Sequence, residues 1–168
     1  MMSTVSPTRV CRHLLMTPWR VRRSFPRATL DAIERAIKES ERSHAGEICF
    51  VVEGALHGAA LYSGQSPRER AIEVFAKQRL WDTEHRNGIL IYVLLADRAV
   101  EIVADRGVHT RVGTPEWQTI CCKMEEAFRQ GRYGSGAVNG IRAVSRHLVK
   151  HFPATAEPRE LPDKPVLL

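Results

Sequence analysis

Ile89-Leu90-Ile91-Tyr92-Val93-Leu94-Leu95, then Ala96-Asp97-Arg98, then Ala99-Val100-Glu101-Ile102-Val103-Ala104 is the stretch that decides the fold. Its first seven residues are apolar throughout, the pattern of a strand covered on both faces. Ala96-Asp97-Arg98 reads as a tight turn, and the next six residues return as a hairpin partner. Upstream, Cys49-Phe50-Val51-Val52 is a second wholly apolar run. Between the runs, Ser66-Pro67-Arg68-Glu69 is a capping box with proline at the first helical position. Ala71, Ile72, Phe75, Ala76 and Leu80 give that helix its apolar side. Strand, helix, strand is a βαβ crossover, so the two apolar strands run parallel and the crossover is right-handed.

The flanks supply helices. Phe25-Pro26 opens one with Leu30, Ile33 and Ile37 on a single stripe, closed at Gly46. Thr114-Pro115-Glu116 starts another, and Trp117, Ile120 or Cys121, Met124 and Phe128 face inward. The last helix starts near Ser135, carries Ala137, Ile141, Val144, Leu148 and Phe152, and stops at Pro153. The order predicts an α/β protein, a three-layer α/β/α sandwich around a small mixed sheet, over residues 25–152. Residues 1–24 read as a basic arm and 153–168 as a proline-rich extended tail. Residues 54–66 read as a loop. Trp81 is expected to be buried and to anchor the loop Asp82–His85.

The net charge of +6 is unevenly placed. Residues 1–30 hold six arginines and no acid, while the rest of the chain carries 19 basic and 19 acidic side chains. A nucleic-acid binder carries its basic face on the folded part, so nucleic acid is not an expected partner. The arm fits a targeting presequence, a lipid-contacting segment using Leu14, Leu15, Met16, Trp19 and Val21, or an extension packed on the domain. Because the charge of the domain balances without it, the arm is expected to be dispensable for folding. No apolar run reaches the length of a membrane-spanning helix. Cys11, Cys49, Cys121 and Cys122 lack metal spacing and read as buried free thiols of a reducing, cytoplasmic setting. Neither a P-loop, a dinucleotide fingerprint nor a nucleophile elbow is present, so no organic cofactor is expected.

The topology brings scattered acids to one rim. The N-terminal ends of the parallel strands and the far end of the antiparallel strand share an edge. That edge should gather Glu47, Asp82, Glu84 and Asp105, with His44, His85 and Arg106 nearby. Converging carboxylates can hold a hard cation, or can be neutralised by Arg86 and Arg106 as ordinary polar loops. The opposite rim, with Glu53, Asp97 and Arg98, looks poorer.

Several segments resemble the TPM domain family: Gly46-Glu47-Ile48, Asn87-Gly88-Ile89-Leu90, Ala96–Ile102, Asp105-Arg106-Gly107-Val108 and Phe128–Tyr133. The family is named for a thylakoid-lumen phosphatase-like protein, a photosystem II repair protein and a receptor-associated membrane protein. Trp81-Asp82-Thr83-Glu84 and Glu160-Leu-Pro-Asp163 are similar to a short soluble bacterial subgroup. The resemblance spans residues 28–152. It implies an α/β/α sandwich, an acid-phosphatase activity and divalent-cation binding in some members. The chain departs from the family pattern after the third strand. His109 replaces a glycine there, and only Glu116 can stand in for the usual acid.

Two functions follow as expectations. The first is a binding and assembly-maintenance module with an unknown protein partner and a cation site on the acidic rim. Asp82, Glu84 and Asp105 would hold calcium, magnesium or manganese. The second is a metal-dependent phosphomonoester hydrolase acting on a phosphorylated small molecule. Glu47 would then serve as an acid, and His85 or Arg106 as phosphate contacts. Peripheral membrane contact through the basic arm accompanies either.

Overall fold

The computed structural model describes residues 5–154 and 161–168. The elements run α1 (Pro7–Leu14), α2 (Pro18–Ser24), α3 (Arg27–Ser40), β1 (Glu47–Glu53), α4 (Gly58–Tyr62) and α5 (Pro67–Lys77). They continue with β2 (Gly88–Leu94), β3 (Ala99–Ala104), α6 (Arg106–His109), α7 (Thr114–Arg129), α8 (Tyr133–His151) and β4 (Val166–Leu167). The sheet order is β3-β2-β1-β4. β1 and β2 run parallel from Glu47 opposite Gly88, and β3 returns antiparallel from Leu94 opposite Ala99.

Every residue of β1 and β2 is buried, as their unbroken apolar runs require. Side chains alternate between faces. Ile48, Phe50, Val52, Ile89, Ile91 and Val93 pack with α3, α7 and α8. Cys49, Val51, Leu90, Tyr92 and Leu94 pack with α4 and α5. The result is an α/β fold with helices on both faces. Ser66 and Glu69 form both halves of the capping box that starts α5.

Four expectations need correction. Residues 54–66 hold a helical turn, α4, whose Leu61 enters the core. The tail is not simply extended: Val166 and Leu167 pair in parallel with Val51 and Val52, and Leu168 donates its N–H to the Val52 carbonyl. The outer edge of β1 otherwise offers unpaired backbone groups, and this short strand covers that edge at Val51 and Val52. Glu160 of the tail motif lies outside the described residues. Cys11 and Cys122 are exposed rather than buried. Burial pushes the Cys49 and Cys121 thiols up to about 12, so those two are inert.

The fourth correction is Trp81, which is 54% exposed. The chain leaves α5 through Arg79 at a φ of 56°, and that turn sends Leu80 inward instead. The Leu80 carbonyl lands on Gly88, 2.1 Å from where a Cβ would stand. Gly88→Ala therefore meets backbone that cannot yield, and should cost about 3 kcal/mol in chemical unfolding. Trp81→Ala should change the same measurement by less than about 0.5 kcal/mol.

Candidate functional site

The N-terminal rim is assembled by strand register. Glu47 lies opposite Gly88 on one side, and the Asp105 N–H donates to the Gly88 carbonyl on the other. Topology thus brings Glu47 and Asp105 to one edge. It does not bring them together: two strand spacings put their Cα atoms about 10 Å apart. The Leu80 carbonyl also occupies the space over Gly88 between them. Glu47 is buried. Asp105 caps α6, its Oδ1 accepting from the Arg106 N–H at 2.7 Å, and its buried Oδ2 has no hydrogen-bond partner.

The other rim residues go elsewhere. Asp82 pairs with Arg79 at 2.7 Å and is half exposed. Glu84, His85 and Arg106 are on the surface. Among the described residues, no group of three or more His, Cys, Asp or Glu side chains is placed to hold a metal ion.

The carboxyl ends of the parallel strands are richer. Asp97, in the β2–β3 turn, receives Arg9 through Nε at 3.0 and 3.1 Å and through Nη2 at 2.7 Å. His13 Nε2 lies 2.9 Å from the same carboxylate, and Arg12 stands at 3.7 Å. His13 Nδ1 accepts the Leu56 N–H at 2.9 Å, so the ring donates to Asp97 from Nε2. Burial alone would raise the Asp97 carboxyl, but the hydrogen bonds from Arg9 and His13 outweigh it and hold it below its ordinary value. Beside it, buried Glu53 accepts two bonds from Arg70 and one from the Tyr92 hydroxyl at 2.6 Å. Burial, then the Glu53 contact, pushes the Tyr92 phenol up.

This network seats the basic helices on the sheet end. His13 is 1% exposed, and Val21 approaches Gly54 so closely that a Cβ there would stand 2.7 Å from it. A cleft of about 500 Å³ opens between α2 and the α7–α8 corner, with Val93 and Leu95 among its lining residues. Trp19, Arg20 and Arg23 line it from α2, and Phe128, Arg129 and Tyr133 from the other wall. Arg98 and Glu125 complete the charged lining. Arg23 lies over the Trp19 ring at 5.3 Å, and Phe128 stacks on Tyr133 at 5.3 Å. Arg98 is held at a φ of 55°, a conformation glycine takes more cheaply. Crevices outside the carboxyl ends of strands are where open α/β sheets place ligands.

No motif or spacing in the sequence marks this rim. The available signals were an acid in the hairpin turn and an arm of arginines with no acid of its own. Asp97→Asn leaves buried His13 and half-buried Arg9 against an uncharged amide, so it should cost about 3 kcal/mol. The folded Asp97 pKa lies below the unfolded value of about 3.9. Its stabilisation is therefore complete above that value and fades as pH falls through the folded pKa. Urea unfolding across pH should show a constant gap between wild type and variant above about pH 5, narrowing below about pH 4.

No curated protein matches the chain. Among solved structures, the BA42 protein of the psychrophilic bacterium Bizionia argentinensis is similar, at 29% identity and a TM-score of 0.71. That match covers 83% of this chain and 92% of the other. The N-terminal domain of a protein from P. gingivalis shares the fold at 19% identity and a TM-score of 0.58. It covers 80% of this chain and 82% of that domain. The family model described as the TPM domain matches residues 23–147, and the chain belongs to the TPM domain family.

Proposed function

We propose that the chain is a non-catalytic binding and assembly-maintenance module that works from the carboxyl end of its sheet. The cleft carries the proposal. It sets four arginines against one glutamate, with aromatic walls, a lining suited to an anionic partner with an apolar portion. The aromatic contacts are made before any ligand arrives, which lowers the ordering cost of binding. We place the module in the cytoplasm, a setting that suits its inert buried thiols.

A cation-assisted phosphomonoesterase is the second reading, favoured by the partnerless buried oxygen of Asp105. Hydrolysis needs a nucleophile or an activated water beside a phosphate contact. On the N-terminal rim, the Leu80 carbonyl separates the two acids that the register brings closest.

Two measurements separate the readings. With p-nitrophenyl phosphate and millimolar calcium, magnesium or manganese, the binding reading expects no turnover above buffer and no shift in unfolding temperature. Cation-dependent turnover lost in Asp105→Asn would favour the hydrolase. The anionic dye anilinonaphthalene sulfonate should bind saturably, and Arg98→Gln with Arg129→Gln should weaken it about tenfold or more, since charged hydrogen bonds are lost.

A further inference from the structure

We propose that the α1–α2 corner docks on an anionic lipid bilayer. Leu14, Leu15 and Trp19 are each 64% exposed, and Leu167 and Leu168 are 42% and 50% exposed. These are five of the nine large apolar side chains so exposed among the described residues. They share one end of the molecule, because Met16 and Val21 line a cavity with Leu167 and Leu168. An exposed apolar cluster of this kind marks a protein or membrane contact.

Charge selects between the two. Exposed Arg12, Arg20, Arg22 and Arg23 surround the apolar side chains, and residues 1–30 contain no acid. Leucine and tryptophan ringed by arginine is the composition of segments that lie in a bilayer interface. With Arg23 over its ring, Trp19 presents an indole and a guanidinium together at headgroup depth. The corner is also fixed, since Arg9 and His13 tie α1 to Asp97. The rest of the chain is neutral in sum, so attraction to an anionic surface acts on this end and orients the domain. The proposal names a partner for the end assigned above and relies on that reading only for its location.

The test uses the full chain carrying Trp81→Phe, so that Trp19 is the one exposed indole. Flotation should show at least tenfold stronger partition onto vesicles of equal phosphatidylglycerol and phosphatidylcholine than onto phosphatidylcholine alone. Trp19 emission should shift to the blue, and binding should fade near 1 M salt, where the screening length falls to about 3 Å. Leu14→Ser with Leu15→Ser should lower partition at least tenfold, and Arg22→Gln about fivefold. None of these three residues lines the arginine cleft, so dye binding there should persist. Equal partition onto both vesicle types would overturn the proposal. So would a soluble acidic peptide that binds the corner while vesicles do not, which would assign the surface to a protein. Dye binding left unchanged by Arg98→Gln with Arg129→Gln, with vesicle binding kept, would reject the cleft as a ligand site and leave the bilayer contact standing.

Discussion

The carboxylate of Asp97 decides where the basic helices sit. It stands in the turn of the β2–β3 hairpin, nearly buried, and takes Arg9 and His13 together. Bringing such charges out of water offsets most of their mutual attraction, so the pairing contributes little net stability. Its consequence is positional. An unpaired carboxylate or a buried imidazole without its acceptor costs several kcal/mol, so alternative placements of α1 are disfavoured. Trp19, Arg20 and Arg23 follow from that placement, and with them one wall of the cleft and the exposed corner.

The two rims differ for a backbone reason. At the N-terminal rim the chain crosses directly over the sheet end, because Gly88 lets the Leu80 carbonyl rest on it. That contact closes the space between Glu47 and Asp105. At the carboxyl rim Val93 and Leu95 line the cleft, and its walls come from helices at the two extremes of the domain. The same sheet thus has one end sealed by its own crossover and one end open.

Much of the fold was legible in the residues. The unbroken apolar runs of β1 and β2 have no other use than burial on both faces, and the Ser66–Glu69 capping box set the start of α5. Topology alone brings Glu47 and Asp105 to one edge. What was hidden turned on small rotations and on pairing at a distance. One residue of twist at Arg79 exchanges Leu80 for Trp81. Two residues of β4 are too few to show a period. The balanced charge of the domain suggested that the arm had nothing to hold, yet a balance counts charges without saying that Asp97 faces Arg9. The rim with fewer acids is where the buried ion pairs lie.

Amide hydrogen exchange on the full chain tests the central claim, that the basic helices are a built part of the sheet's open end. Backbone amides of α1 and of Leu56 should be strongly protected in the wild type at neutral pH. In Asp97→Asn they should exchange far faster, while the amides of β1 and β2 keep their protection. Free exchange through α1 in the wild type, or protection in α1 that survives Asp97→Asn unchanged, would contradict the account.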